Sequence, residues 1–202
     1  MIAGTMMLTS QDAVSKWLTS DYRFGEIFFY RGIWAYLPLA FFMWRAGGLV
    51  TLRSRAPGVN IIRGLLNTAA GALIISALAL LPIADVFAIV FLSPLIVTAL
   101  SPWLLGETVG WRRWSAVSVG FAGVLVMTRP GGEGIGWLVV LPLGVAVVMA
   151  LRDILTRRLG AHDSTETILF YTVSVTVGFG ALTMLWTGTT MPTPEHWAIF
   201  MV

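Results

Sequence analysis

Residues 84–105, ADVFAIVFLSPLIVTALSPWLL, decide the class of this protein. The stretch has 22 residues and a single charged side chain, Asp85, near its start. A helix of about 20 apolar residues crosses the roughly 30 Å of hydrocarbon in a bilayer. Residues 25–44 and 167–186 are each 20 residues long, with two charges and none. The sequence therefore predicts a protein that crosses a membrane several times.

The composition of the 202-residue chain agrees with a membrane class. Hydrophobic residues make up 57% and charged residues 11%, whereas soluble domains carry about 25% charged residues. The chain has no Cys and only two His, so the sequence provides no disulfide framework and no zinc-binding constellation. We expect no metal and no cofactor. The net charge of +3 is spread over loops, which argues against a nucleic-acid partner and favours the lipid bilayer.

Seven hydrophobic segments follow one another along the chain, and an eighth begins at His196. They comprise residues 2–18, 25–44, 64–81, 84–105, 109–128, 136–155 and 167–186. The predicted fold is all-α, a polytopic bundle of transmembrane helices. Because the first segment has only a short apolar run and the eighth only begins, we expect the chain to be a fragment of a longer protein.

The basic residues predict the orientation of the segments, because cytoplasmic loops are enriched in Lys and Arg. The loops after the second, fourth and sixth segments hold eight such residues, and the alternate loops hold three. This bias predicts a cytoplasmic N-terminus, and the short loops favour a bacterial inner membrane. The eight are Arg45, Arg53, Arg55, Arg63, Arg112, Arg113, Arg157 and Arg158, and the three are Lys16, Arg23 and Arg129.

An internal repeat emerges when the chain is shifted by 141 residues against itself. QDAVSKWL at residues 11–18 then aligns with RDILTRRL at 152–159, and EIFFY at 26–30 aligns with TILFY at 167–171. From residue 12 to residue 43, seven of 32 aligned positions are identical without a gap. The second copy lies five segments further along the chain, and five is odd, so it enters the membrane in the opposite direction. This is the inverted-topology repeat of secondary transporters.

Residues 84–131 resemble the end of the first repeat in EamA-type transporters of the drug/metabolite transporter superfamily. The resemblance rests on a Pro in the fourth segment, a Leu-Gly-Glu turn, a loop Trp and a Gly-containing fifth segment, in this order. These marks are Pro94, Leu105, Gly106, Glu107, Trp114, Gly120, Gly123 and Val124. QDAVSKWL followed by FFYRG, which includes Arg31, is similar to the first two helices of the family.

The resemblance implies ten helices in two inverted halves around a central cavity, with small organic metabolites as substrates. Residues 1–131 then form a first five-helix repeat, with its first helix shortened at the N-terminal side. Residues 132–202 begin the second repeat, with two helices and the start of a third. Members with similar blocks include uptake systems for riboflavin and for S-adenosylmethionine-like compounds, alongside exporters, so the substrate stays open.

Arg31 is the first candidate for substrate binding, because an ionisable residue inside a membrane segment defaults to a functional hypothesis. With Tyr30 beside it and Trp34 one turn away, its guanidinium can hold an anionic or planar ligand by hydrogen bonds and stacking. The alternative is that Arg31 reaches outward to the interface or pairs with Glu26 or Asp12.

Asp12 and Lys16 are spaced i, i+4 and share a helix face, so they can form an ion pair. This pair is either a proton or cation relay at the cavity mouth or a purely interfacial contact. The aligned Asp153 and Arg157 have the same spacing, which favours an interfacial lock present in both repeats. Glu26 is interpreted as a partner of the helix N-terminal dipole more than as a coupling carboxylate.

Pro94 has no amide hydrogen, so the carbonyl of Val90 loses its helical partner in the middle of the fourth segment. Discontinuous helices of this kind mark binding sites in transporters, and Ser93 and Thr98 offer hydroxyl groups there. The alternative is a plain kink that Ser93 repairs. Asn67 and Thr68 are polar residues in the third segment, and they either face substrate or bond to a neighbouring helix.

The fifth segment carries Gly120 and Gly123, about one helical turn apart. Small residues at this spacing let two helices approach closely in a membrane. We therefore expect this helix to be a packing face or a homodimer face and not a ligand face.

These features together predict an inner-membrane secondary transporter that works by alternating access of its two halves. No ATP-binding signature G-x-x-x-x-G-K-[ST] occurs, so the energy is expected from an ion gradient, exchange or the substrate gradient. One alternative is an intramembrane lipid-modifying enzyme, which needs a concentrated set of catalytic groups that the scattered acids do not supply. Another is a helical scaffold without transport, which predicts that Arg31 and Pro94 can be replaced freely. We do not expect an enzyme.

Overall fold

The computed structural model describes residues 22–48, 52, 54–128, 136–160 and 162–188. The helices are α1 (Phe24–Arg45), α2 (Pro57–Leu80), α3 (Ile83–Val90), α4 (Ser93–Leu105), α5 (Trp111–Thr128), α6 (Val140–Leu159) and α7 (Thr165–Thr187). A 3-10 helix, Gly136–Val139, leads directly into α6. These described residues contain no strand, and the all-α fold class is confirmed. The first predicted segment and the start of the eighth lie outside the described residues.

Within the residues that the structure describes, five helical stretches are long and apolar enough to cross a membrane. They correspond to the second, third, fourth, sixth and seventh predicted segments, and they are Gly25–Arg45, Pro57–Leu80, Ile83–Leu105, Trp137–Leu159 and Thr165–Thr187. Helix α5 coincides with the fifth segment but is not one of the five, and its first turn carries Arg112 and Arg113. The chain is a multi-pass membrane protein.

Helix α2 begins seven residues before the predicted segment, at Pro57. It therefore includes Asn60 and Arg63, so the assignment of Arg63 to a loop was wrong. Proline suits the first position of a helix, because the amide hydrogen that it lacks has no helical partner there. Asn60 bonds Asp163, which lies just before α7, and Arg63 bonds Thr172 within α7.

The fourth predicted segment is divided into two helices. Helix α3 ends at Val90, and Phe91 and Leu92 form a turn before α4 begins. The Leu92 amide donates to the carbonyl of Ile89 at 2.9 Å, one residue short of the α-helical pattern. Since Pro94 has no amide hydrogen, the helical bond to the Val90 carbonyl cannot form. The discontinuity that the sequence predicts is therefore present.

The chain divides into two compact units, and α2 contributes to both. The first unit holds the residues up to Thr68 and those from Asp163 onward, and the second unit holds Ala69–His162.

In the first unit, α1 and α7 pack against each other in opposite directions. Gly25 at the start of α1 faces Thr183 near the end of α7, and Tyr36 further along α1 bonds Ser174. A Cβ atom on Gly180 would lie 2.7 Å from the backbone oxygen of Gly25. The missing side chains let the two backbones meet, which is how membrane helices commonly approach each other closely.

In the second unit, α3 and α4 run parallel to α6 and cover its small residues. Val145 lies in one cluster with α3, and Ala146 lies in the next cluster with Leu92. Further along, Ala150 lies in a cluster with Val97 of α4. These contacts advance together along both partners, so the helices run in the same direction. Consecutive membrane segments cross the bilayer in alternating directions. The antiparallel pair in the first unit and the parallel packing in the second unit both agree with this alternation.

Candidate functional site

Polar side chains lie on one face of the otherwise apolar helix α2. Asn60, Arg63 and Asn67 follow one another at spacings of three and four residues, and Thr68 comes directly after Asn67, which places the four residues on one side of the helix. Three of them bond to side chains before or within α7. We call this contact the polar seam, and it consists of Ser54, Asn60, Arg63, Thr68, Asp163, Thr172 and Thr176.

The first layer of the polar seam is centred on Asp163, just before α7. Its carboxylate accepts hydrogen bonds from Ser54 Oγ at 2.6 Å, the Arg55 backbone amide at 2.9 Å and Asn60 Nδ2 at 2.7 Å. Asn60 is fully buried, and its Nδ2 also donates to Ser54 Oγ at 2.9 Å. These bonds hold the start of α2 to the start of α7, so the two helices leave the same end of the unit in parallel.

The second layer is the contact between Arg63 and Thr172. The Arg63 Nη1 atom donates to Thr172 Oγ1, and the Thr172 hydroxyl donates its own proton to the carbonyl of Ile168 at 2.7 Å. The hydroxyl oxygen therefore offers a lone pair to the guanidinium. Beside Arg63, a Cβ atom on Gly64 would lie 2.9 Å from the Cβ of Val175. Glycine at this position lets α2 and α7 come close enough for the contact.

The third layer is a pair of hydroxyl groups. Thr68, which is buried, and Thr176 share a hydrogen bond of 2.9 Å between their Oγ1 atoms. From Asn60 to Thr68, the seam extends over about 12 Å of helix axis. On another face of α7, the Tyr36 hydroxyl of α1 shares a hydrogen bond of 2.8 Å with Ser174 Oγ. Helix α7 thus presents hydroxyl groups to both α1 and α2.

Tyr30 and Trp34 belong to the same hydrophobic cluster. Tyr30 is buried in a cluster with Ile27 and Met184, and Trp34 packs against this cluster. Arg31 is half-buried on α1. Ligand binding by Arg31, Tyr30 and Trp34 stays a prediction.

Glu26 is almost fully buried at the start of α1. Its Oε2 atom accepts a hydrogen bond from the backbone amide of Arg23 at 3.0 Å. A carboxylate in the first turn satisfies an otherwise unpaired amide in this way and interacts favourably with the helix dipole. The geometry agrees with the interpretation of Glu26 as a partner of the helix N-terminus.

Asp12 and Lys16 lie outside the described residues, so their ion pair stays a prediction. In the aligned copy, Asp153 Oδ1 accepts hydrogen bonds from Nε and Nη2 of Arg152, at 2.9 and 2.7 Å. The partner of Asp153 is therefore its neighbour, and the predicted contact with Arg157 is wrong.

Ser93, Pro94 and Thr98 belong to the second unit, whereas Asn67 is half-buried on the seam face of α2. Ser93 Oγ is buried and has no hydrogen-bond partner within the part of the chain that the structure describes. It therefore does not repair the kink. The Thr98 hydroxyl donates to the carbonyl of Pro94 at 2.9 Å, a contact within its own helix. Substrate binding by these four residues stays a prediction.

The two glycines of α5 differ in their surroundings. A Cβ atom on Gly120 would lie 3.4 Å from the side chain of Leu95 in α4, so Gly120 serves packing within the chain. A Cβ atom on Gly123 would meet no atom within 4 Å. A homodimer contact through α5 stays a prediction that involves Gly123.

Sequence reasoning missed most of the polar seam. The signal in α2 is the helical spacing of Asn60, Arg63 and Asn67, which a segment starting at residue 64 hides. The signal in α7 is the pair Thr172 and Thr176, four residues apart in a stretch without charge. Neither signal identifies the partner helix.

The described helices thus form an apolar, membrane-spanning bundle with a polar seam between α2 and α7. The EamA-like transporter family matches residues 1–129 of the chain. The chain therefore belongs to the EamA-like transporter family.

Individual relatives carry transporter names. The chain is 27% identical to a riboflavin transporter of Rhizobium johnstonii, over 100% of this chain and 67% of the relative. It is 28% identical to an S-adenosylmethionine uptake transporter of Rickettsia felis, over 83% of this chain and 57% of the relative. It is 31% identical to a riboflavin transporter of Vibrio cholerae, over 67% of this chain and 46% of the relative. No solved structure matches the chain.

Proposed function

We propose that this chain acts in secondary transport of a small organic metabolite across a bacterial inner membrane. The mechanism is alternating access of two inverted repeats, residues 1–131 and 132–202, and the N-terminus is cytoplasmic. The names of the relatives favour a substrate of the size and polarity of riboflavin or S-adenosylmethionine. The chain is not an enzyme in this proposal.

The proposed repeat is supported by α1 and α7. Helix α1 begins at Phe24 and α7 begins at Thr165, 141 residues later. The preceding residues have the same extended backbone, with φ −75° and ψ 155° at Arg23 and φ −72° and ψ 158° at Ser164. The two helices run antiparallel, as the copies of an inverted repeat must when they are offset by an odd number of segments.

The observation that carries the proposed function is the polar seam. It joins α2 of the proposed first repeat to α7 of the second, and binding sites of such transporters lie at the interface of their repeats. Hydroxyl pairs alone can hold membrane helices together. A guanidinium inside a membrane span is far more costly, and this favours a role in binding over one in packing.

Cysteine labelling tests the seam, and the natural absence of Cys makes single variants straightforward. We expect an Asn67→Cys variant to react with a membrane-impermeant thiol reagent and to be protected by substrate. The matched control is Leu65→Cys, because Leu65 is an exposed apolar residue on another face of α2. Equal labelling at both positions, with no effect of substrate, contradicts a binding site on the seam face.

Uptake assays test transport itself. We expect cells that produce the chain to accumulate labelled riboflavin or S-adenosylmethionine faster than cells that carry an empty vector. A rate equal to that of the empty vector for both compounds contradicts transport of these two substrates by this chain.

A further inference from the structure

Four arginines lie at one end of the second unit, where α4 and α6 end and α5 begins. Arg112 and Arg113 belong to the first turn of α5, and Arg157 and Arg158 belong to the last turn of α6. All four residues are exposed. We call this group the arginine cluster.

A hydrogen bond joins the ends of α4 and α6. The Arg158 Nη2 atom donates to the backbone carbonyl of Leu104, one of the last carbonyls of α4, which have no partner within their own helix. Leu105 packs against the buried cluster that contains Ile154 of α6. The end of α6 therefore lies level with the end of α4.

The start of α5 reaches the same level, because α5 follows α4 after a short connection and packs back against it. A Cβ atom on Gly120 would lie 3.4 Å from the side chain of Leu95. Trp111 precedes Gly120 by nine residues, about 14 Å of helix, and Leu105 follows Leu95 by ten residues, about 15 Å. Helix α5 therefore begins beside the end of α4, and the four arginines share one depth.

Acidic side chains do not neutralise the arginine cluster. Among the described residues, none of the four arginines forms an ion pair, and Asp153 is bonded to Arg152. Glu107, in the connection before α5, brings one negative charge against the four positive charges. The guanidinium carbon of Arg112 lies 5.9 Å from the centre of the Trp111 ring, in a cation–π contact that keeps the positive charge. This end of the unit is therefore strongly basic.

Three exposed tryptophans place the arginine cluster at the membrane surface. Trp103, Trp111 and Trp114 are 84%, 76% and 46% exposed, and tryptophan is enriched at the level of the lipid headgroups. The cluster also lies at the ends of two apolar spans, Ile83–Leu105 and Trp137–Leu159. The phosphate groups of phospholipids occupy this depth. The surface thus offers guanidinium groups to a phosphate and indole rings to acyl chains.

We propose that the arginine cluster binds the headgroup phosphate of an anionic phospholipid, with phosphatidylglycerol as the simplest ligand. Guanidinium groups match phosphate oxygens with paired hydrogen bonds, and basic residues at the ends of membrane helices attract anionic headgroups. In the predicted orientation, this lipid belongs to the cytoplasmic leaflet. The inference does not depend on which molecule the chain transports.

Lipid titration of the purified chain in neutral detergent tests the inference. Native mass spectrometry counts bound phosphatidylglycerol and phosphatidylcholine with the same acyl chains and gives both dissociation constants. We expect the wild type to bind phosphatidylglycerol at least about tenfold more tightly, since each arginine near an anionic surface contributes about fivefold. Arg112→Gln combined with Arg157→Gln should weaken this binding about tenfold or more and leave phosphatidylcholine within about twofold.

Two further variants separate the site from net charge and from folding. Arg45→Gln is the matched control for Arg157→Gln, because Arg45 is also an exposed arginine in the last turn of an apolar span and lies in the first unit. It should keep the wild-type affinity, whereas Arg157→Gln alone should lose about fivefold. Arg112→Lys combined with Arg157→Lys keeps the charge without the planar fork and should retain part of the preference.

Several outcomes overturn the inference. They are a wild type that binds both phospholipids equally, an unchanged affinity for phosphatidylglycerol in the double glutamine variant, and an equal loss in Arg45→Gln and Arg157→Gln. We expect glycerol 3-phosphate, which has the phosphate and no acyl chains, to leave bound phosphatidylglycerol in place at equal concentration. Displacement at equal concentration would assign the cluster to a soluble phosphate compound and not to a lipid.

Discussion

Asp163 is the acidic side chain on which the contact between α2 and α7 depends most. An ionised carboxylate offers about four acceptor positions, and three donors from the chain use them here. Two of the donors, Ser54 and Arg55, lie in the connection before α2, and the third, Asn60, is buried within α2. A single side chain therefore fixes where two membrane helices begin relative to each other.

We expect Asp163→Asn to lower the free energy of unfolding by about 1–3 kcal/mol, because an amide nitrogen would face a donor where an oxygen now accepts a hydrogen bond. Denaturant unfolding of the purified protein in detergent measures this change. Glu166→Gln is the control, since it removes a negative charge from the first turn of the same helix, where the dipole term is worth up to about 1 kcal/mol. An equal loss of unfolding free energy in the two variants would show that Asp163 contributes only its negative charge and not its hydrogen bonds.

At the scale of helices, the close approach of α1 and α7 depends on where glycine occurs and not on how many glycines there are. A Cβ atom on Gly180 would lie 2.7 Å from both the oxygen of Gly25 and the nitrogen of Phe29. These are backbone atoms of α1 and cannot rotate away. A Cβ atom on Gly178, two residues earlier in the same helix, would meet nothing within 4 Å.

We expect Gly180→Ala to destabilise the protein by about 1–3 kcal/mol, because the added methyl group forces α1 and α7 apart. Gly178→Ala should change stability by less than that or increase it by up to about 1 kcal/mol, since alanine favours the helix. Thermal unfolding of both variants in the same detergent makes the comparison. A loss of similar size in the two variants contradicts the backbone contact.

At the scale of the whole molecule, two loops that are far apart in the sequence must lie on one side of the membrane. The connection before α2 and the connection before α7 meet through the bonds of Ser54 and Asn60 to Asp163. The excess of Lys and Arg in these loops predicts that this side is the cytoplasm.

Topology reporters fused after residue 54 and after residue 161 test this arrangement. We expect both fusions to report the cytoplasm, because the positive-inside rule applies to both loops and the contacts require a common side. Opposite locations for the two reporters contradict the fold. Two periplasmic signals contradict only the orientation.

Much of the fold was predictable from the sequence because its causes are local. Apolar length defines the spans, and the missing amide of Pro94 breaks the fourth segment where α3 gives way to α4. The polar seam was not predictable in this way. Asn60 and Asp163 are 103 residues apart, and Arg63 and Thr172 are 109 residues apart. No local pattern specifies which helix will face which.

The sequence by itself determined that this protein is a helical membrane protein and that its residues resemble a transporter family. Hydropathy and the missing amide hydrogen of proline act within a single helix, so their effects can be predicted from the sequence of that helix alone. Only the tertiary structure decided that Arg63 lies in a helix and that its guanidinium meets Thr172. That outcome depends on Gly64 letting α2 approach α7 and on Asp163 aligning their ends, and both are properties of a pair of helices.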